Sequence, residues 1–186
     1  AKSAVPLRHA DCDAAAAQMI EARYDGRGLQ ALFRIPDAPP FESIRDELAR
    51  RGYRPARPTL LQIAASTSVH NVSPDALAEV AGAPDAAWAA AFLGEGFDPV
   101  DGASRVAVLS RAAGSVYASV REGGRAIATG AAAFGYGWAS VHGMRTERAR
   151  RGEGLAARVL AALAAVALER GVPRMFLQVE KENAPA

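Results

Sequence analysis

Residues 143–183 constrain the fold of this 186-residue chain more than any other stretch. Larger apolar residues recur from Leu155 to Val166 at the three- and four-residue spacing of one helical face, which predicts a helix that ends at Arg170. Gly171 is expected to cap it. The flanking segments 138–144 and 175–179 are typical of strands. The sequence therefore predicts a strand, a basic loop, a long helix and a second strand in succession.

The turn before this helix has the chemistry of an anion site. The first N–H groups of a helix have no partner within it, and the aligned peptide dipoles leave positive charge there. Gly152 and Gly154 let the backbone approach a ligand closely. Arg148, Arg150 and Arg151 add charge and fork-shaped donors. We therefore expect a ligand that carries a diphosphate.

Residues 151–156, Arg-Gly-Glu-Gly-Leu-Ala, resemble the R/Q-x-x-G-x-G/A signature of the GNAT (GCN5-related) N-acetyltransferases. Residues 143–146 resemble the end of that family's fourth strand, and residues 176–186 resemble its fifth strand and the start of its next helix. The specific similarity covers the last quarter of the chain, and a looser one covers the second half. It implies an α+β fold with a mixed, mostly antiparallel sheet flanked by helices.

The resemblance also implies an activity and a set of cofactor-binding residues. An acetyl group would pass from acetyl-CoA directly to a primary amine in a ternary complex, with the diphosphate on the glycine turn and the pantetheine arm along the fourth strand. A backbone N–H near Met144 or Arg145, left free by strand divergence, would polarise the thioester carbonyl. Asn183 would contact the cofactor arm or cap the next helix. The expected cofactor-binding residues are Met144, Arg145, Thr146, Arg151, Gly152, Glu153, Gly154, Leu155, Ala156 and Asn183.

Two residues are candidates for the general base that direct attack by a neutral amine requires. Glu180 ends the fifth strand near the reaction centre that the resemblance implies. His142 lies on the fourth strand and has a reference pKa suited to proton transfer. Strand alternation predicts His142 and Met144 on one face, with Val141 and Gly143 on the other. A purely structural histidine is the alternative.

Rival interpretations of the glycine turn exist. Gly152-x-Gly154-x-x-Ala157 with Glu180 also fits a dinucleotide-binding motif, but residues 145–151 separate the strand from the first glycine, and no further βα unit follows in the sequence. A Walker-type loop lacks its Lys-Ser or Lys-Thr. An ordinary turn with solvated arginines is the remaining alternative.

The rest of the chain divides into an N-terminal αβ segment, residues 1–66, and an acetyltransferase core, residues 67–186. The first resembles the tail of a degenerate GNAT repeat, as in tandem-type members, although a generic scaffold fits as well. One predicted helix is capped by Asp11 or Asp13 and runs to about Tyr24, and another covers 41–51. The predicted strands cover 29–35 and Thr59–Ala65. In the core we expect a helical pair at 72–93 with a start signal at Pro74-Asp75, a loop at 94–104 and strands at 105–109, 116–121 and 126–134. Glycines predict a tight hairpin at 122–125 and a further reversal at 135–137. The aromatic residues Trp88 and Phe92 either line the acceptor site or pack in the core.

Composition excludes several classes of protein. A net charge of +2 argues against nucleic-acid binding, and there is no apolar run of membrane length. The single cysteine, Cys12, provides neither an internal disulfide nor a cysteine-based metal cage, which favours the cytoplasm and no metal site. The expected partner is a small-molecule or peptide amine, and a homodimer is compatible with the sequence.

The resemblance also predicts what would follow Ala186. In the family, a helix with a tyrosine that protonates the leaving thiolate comes next, and two closing strands follow it. We therefore expect either that the sequence is a fragment or that its earlier segment fills part of that role. A non-catalytic CoA-binding or interaction domain is the alternative function.

Overall fold

The computed structural model describes residues 3–8, 10, 13, 15–73, 78–94 and 99–183. Contacts divide the chain into two compact units, Ala1–Arg57 and Pro58–Ala186. The first unit contains α1 (Ala16–Asp25) and α2 (Glu42–Arg50). The second contains β1 (Thr59–Ala65), α3 (Ser66–His70), β2 (Glu79–Ala81), α4 (Ala86–Leu93), α5 (Pro99–Ser110), β3 (Val116–Glu122), β4 (Arg125–Gly135), β5 (Trp138–Thr146), α6 (Leu155–Glu169) and β6 (Arg174–Glu180). No helix in these described ranges combines the length and the apolar character that a bilayer crossing requires.

The first unit is a small helical unit with its own core. Phe41, Ile44 and Leu48 are buried together with Ala17. The predicted strand at 29–35 is wrong, because Phe33 forms only a single bridge to Ala4 and no ladder develops. The predicted cap Asp11 and the cysteine Cys12 lie outside the described residues. Asp13 does accept a hydrogen bond from the backbone N–H of Ala15 at 2.8 Å, just before α1.

A six-stranded sheet in the order β1-β6-β5-β4-β3-β2 forms the second unit. All neighbours are antiparallel except β5 and β6, which are parallel and joined by α6. Helix α6 covers one face and buries Leu155, Val159 and Leu163 against β3, β4 and β5. Helix α4 packs on the opposite face through Trp88. The predicted α+β class, with a mixed and mostly antiparallel sheet, is confirmed.

The predicted strand at 105–109 is wrong, as is the predicted loop over residues 99–104. Both of these ranges fall in α5 (Pro99–Ser110). The alternation of Val106 and Val108 resembles a strand, but Asp101 and Arg105 form an ion pair at 2.8 Å across one helical turn. The tight turns at 122–125 and 135–137, by contrast, lie where the sequence predicts them.

Among the described residues of the predicted helical pair at 72–93, the second helix is present as α4. Asp85 caps it by accepting a hydrogen bond from the backbone N–H of Trp88 at 2.8 Å. Residues 79–81 instead form β2, which adds an edge strand to β3. The short helix α3 lies further upstream, and the expected start signal at Pro74 and Asp75 lies outside the described residues.

Candidate functional site

The glycine turn between β5 and α6 is an exposed backbone loop that ends in a helix N-terminus. Gly152 and Gly154 have φ values of 85° and 74°, a region that L side chains disfavour, and Gly154 is the residue before the helix. No side chain of the described residues caps this helix. Leu155 is buried and anchors the first turn in the core, while Ala156 is exposed. The first N–H groups of α6 thus belong to a turn that is open to a ligand.

Of the three arginines expected at this turn, Arg150 forms ion pairs with two carboxylates. The Arg150 guanidinium donates to both oxygens of Glu122, at 2.6 and 2.8 Å, and also to Glu153. These hydrogen bonds lower the pKa of both carboxyl groups and raise the pKa of Arg150. Arg148 and Arg151 have exposed side chains. Sequence reasoning missed Glu122, because nothing in the local pattern links the β3–β4 hairpin to this turn.

Strand β5 contains a bulge immediately before the turn. Thr129 pairs with Arg145 and Ala131 pairs with His142, so β5 has one more residue than β4 across this interval. Gly143 has a φ of 61°, which accommodates the extra residue. The alternation predicted across residues 141–144 is therefore wrong. Met144 packs on the α6 side together with Val141, whereas His142 points to the opposite face.

Helix α4 supports this bulge through its aromatic pair. Trp88 is 1% exposed and stacks on Phe92 with ring centroids 5.2 Å apart. The indole N–H of Trp88 donates to the carbonyl oxygens of Ala118 and Gly130, at 3.1 and 3.2 Å. A Cβ at Gly143 would lie 3.2 Å from the Phe92 ring. Trp88 therefore belongs to the core, and the pair holds the bulge from the side opposite α6.

Beyond the bulge, the two parallel strands are no longer paired. β5 and β6 form ladder pairs only from Trp138–Arg174 to Val141–Leu177, although both strands continue. A gap therefore opens between residues 142–146 of β5 and residues 178–180 of β6. This gap leads to the glycine turn, since β5 ends at Thr146. The geometry has the strand divergence that the resemblance implies.

His142 lies on the face opposite α6, in a cleft of about 180 Å³. The lining includes Leu109, Tyr117 and Ala131. The His142 Nε2 lies 2.9 Å from Ser140 Oγ, and the Ser140 hydroxyl donates to the Ala133 carbonyl. This network favours the tautomer with a proton on Nε2, which leaves Nδ1 as the acceptor. Although part of the ring is exposed, its partial burial lowers the pKa of the imidazole.

Glu180 is exposed at the end of β6, on the same sheet face as His142. Met175 is buried on the α6 side, and alternation along β6 places Glu180 on the opposite face. Glu180 pairs with Thr59 of β1, and its carbonyl accepts a hydrogen bond from the Asn183 N–H at 2.9 Å. The structure thus places both candidate bases on one face near the gap. Their catalytic roles stay predictions.

The remaining predicted residues are divided between the gap and the turn. Thr146 pairs with Ala128 at the end of β5, and the Arg145 guanidinium lies beside Gly94, 2.9 Å from where a Cβ would stand. Met144 is turned toward α6, where its sulfur and Val159 fill the space above Gly130. Its backbone, rather than its side chain, therefore borders the gap.

Comparison with known proteins identifies the family. A family model described as probable histone acetyltransferase Rv0428c C-terminal matches residues 1–186. The chain belongs to this family. No curated protein matches the chain.

Solved structures share this fold. A GCN5-related N-acetyltransferase from Kribbella flavida has a TM-score of 0.63 and 19% identity, covering 94% of this chain and 70% of its own. A functionally unknown conserved protein from Staphylococcus epidermidis has a TM-score of 0.62 and 9% identity, covering 92% and 72%. A GCN5-related N-acetyltransferase from Sphaerobacter thermophilus has a TM-score of 0.57 and 17% identity, covering 82% and 52%, so this chain spans about half of its length. The family and the fold together confirm the predicted acetyltransferase class.

Proposed function

We propose that the second unit transfers an acetyl group from acetyl-CoA to a primary amine. The observation that supports this most directly is the juxtaposition of the uncapped N-terminus of α6 with the gap between β5 and β6. The helix N-terminus provides N–H donors for a diphosphate, and the gap provides a groove for an extended arm with unpaired strand backbone beside it. A dinucleotide lacks the extended arm that such a groove would hold.

The reaction that fits this arrangement is direct aminolysis of a thioester. The amine nitrogen attacks the carbonyl carbon, and a backbone N–H near Met144 or Arg145 stabilises the developing oxyanion. The C–S bond then breaks, and the electron pair leaves with the CoA sulfur as a thiolate. The proton lost by nitrogen passes to a base, and a proton from an acid or from water neutralises the thiolate.

We assign the base to His142 and keep Glu180 as the second candidate. A lowered pKa keeps the imidazole neutral at physiological pH, and its free Nδ1 is available to accept the proton. The cleft around His142 has mostly apolar walls, which suits the uncharged form of an amine better than its ammonium form. Glu180 lies on the same face but is exposed.

The acceptor class is a primary amine on a small molecule or a peptide. The name of the family mentions histones, and a lysine side chain carries such an amine. The N-terminal unit as a degenerate acetyltransferase repeat, a homodimer and a cytoplasmic location stay predictions. The position of β1 beside β6 supports the view that an earlier segment supplies part of the acetyltransferase sheet.

Calorimetry with CoA, acetyl-CoA and NAD tests the cofactor, and thiol release with a panel of amines tests the reaction. The panel should include histone-tail peptides, free amino acids and small monoamines. Binding of CoA and not NAD, with amine-dependent thiol release, is the expected result. Binding of CoA without turnover on any amine would favour the non-catalytic alternative, and binding of NAD alone would overturn the proposal.

A further inference from the structure

Two ion pairs join the β3–β4 hairpin to the loop between β5 and α6. At the end of β3, Glu122 receives two parallel hydrogen bonds from Arg150. At the start of β4, Arg125 pairs with Glu147 at 2.5 Å. Arg150 extends the first link into the turn itself, because its Nε and Nη2 also donate to Glu153 at 2.8 Å. The hairpin thus holds the segment that carries the glycines.

Support of this kind matters because the turn contains two glycines. Gly152 and Gly154 are exposed, and a Cβ at either would meet nothing within 4 Å. A glycine backbone has more conformations to lose than any other when a ligand orders it. Glu153 lies between the two glycines, and its carboxylate accepts hydrogen bonds from Arg150. Holding the Glu153 side chain therefore restricts the conformations of the peptide groups on both sides of it.

We propose that Arg150 is a positioning residue that Glu122 and Glu153 hold in place, and that it sets the glycine turn in the conformation that receives the CoA diphosphate without binding phosphate itself. This inference rests on the proposed function. Arg150 uses its Nε and both Nη atoms for carboxylates and is only 28% exposed. Glu122 contributes to ligand binding from the hairpin, although it does not belong to the signature.

The sign of one mutational effect separates positioning from simple electrostatics. Glu122 is an anion near a site for a polyanion, so its neutralisation should tighten CoA binding if charge alone mattered. It should also tighten binding if the released Arg150 were a phosphate ligand. If Arg150 positions the turn, neutralising Glu122 loosens the turn and weakens binding.

The test uses Glu122→Gln with Glu79→Gln as a matched control. Glu79 is the first residue of β2 in the same sheet and forms an ion pair with Arg121. Arg121 also pairs with a second carboxylate, that of Asp85. We expect CoA affinity, measured by calorimetry, to fall about threefold to tenfold in Glu122→Gln. We expect Glu79→Gln to bind CoA as the unaltered protein does. An unchanged or tightened affinity in Glu122→Gln would overturn the inference.

Two further measurements distinguish loosening of the glycine turn from a general destabilisation of the fold. Amide hydrogen exchange of residues 151–155 without ligand should accelerate in Glu122→Gln, while exchange in the α6 core stays unchanged. Arg150→Lys, which keeps the charge but lacks the guanidinium fork, should lose at least as much affinity, because it disturbs the contacts with both Glu122 and Glu153. The double variant should be no weaker than Arg150→Lys alone, because that substitution already breaks the pair with Glu122. If the unaltered protein itself does not bind CoA, the proposed function fails rather than this inference.

Discussion

Replacing Gly143 with alanine tests the bulge on which the gap between β5 and β6 depends. At a φ of 61°, an L side chain costs roughly 1–2 kcal/mol. The new Cβ would also lie 3.2 Å from Phe92 and 3.4 Å from Trp88, which requires the rings to move by a few tenths of an ångström. The ring contact should add about 1 kcal/mol, the low end of the cost of added bulk in a packed core. We therefore expect the free energy of unfolding to fall by about 2–3 kcal/mol.

Gly124→Ala is the matched control for this substitution. Gly124 has a φ of 79° in the β3–β4 hairpin, and a Cβ there would meet nothing within 4 Å. Urea unfolding of both variants therefore separates the backbone strain, which they share, from the ring contact, which only Gly143→Ala has. Equal destabilisation of the two variants would refute close packing of α4 on the bulge. A neutral or stabilising Gly143→Ala would refute the left-handed bulge itself.

The remaining predictions concern the turn and the two candidate bases. Gly154→Asp should weaken CoA binding about 100-fold by calorimetry, since it adds backbone strain and a negative charge; Gly154→Ala gives the strain alone, and equal losses in both would remove the charge argument. His142→Gln should lower kcat about 100-fold with unchanged CoA affinity, and Glu180→Gln should not; the reverse pattern would assign the base to Glu180. The folded protein holds the pKa of His142 below the value of about 6.5 in an unfolded chain, so the stability from this group is complete above pH 6.5 and declines as the pH falls below it. His142→Gln should remove that part of the pH dependence of unfolding, and an unchanged dependence would contradict the assignment.

The sequence predicts best the elements whose signals are local. The helix from Leu155 and the hairpin at Gly123-Gly124 carry their own periodicity and turn chemistry, and both are present. Helix α5 is harder to predict because Val106 and Val108 fit both a strand and a helix, and the ion pair of Asp101 with Arg105 adds only a small preference for the helix. Local patterns cannot rank two periodicities that fit equally well.

The site divides in the same way. The signature residues around Gly154 are contiguous, so their common location at one helix N-terminus follows from the sequence. The face of Met144 did not follow, because one extra residue in β5 inverts the alternation after His142, and a bulge glycine looks like any other glycine in a sequence. The link from Arg150 to Glu122 is a contact between distant segments, for which no local pattern exists.

Strand β1 explains how β6 can leave β5 and still remain a strand. Residues 178–180 have no ladder partner on the β5 side, and an unsupported strand end of this kind would exchange its backbone hydrogen bonds with water. Thr59, Leu60 and Leu61 pair with Glu180, Val179 and Gln178 on the other side, which keeps this end in the sheet. The Lys181 N–H donates to the Pro58 carbonyl at 2.7 Å and extends the support by one residue. The gap that we propose for the cofactor arm therefore depends on β1, the first strand of the second unit, and the position of Glu180 depends on β1 rather than on β5.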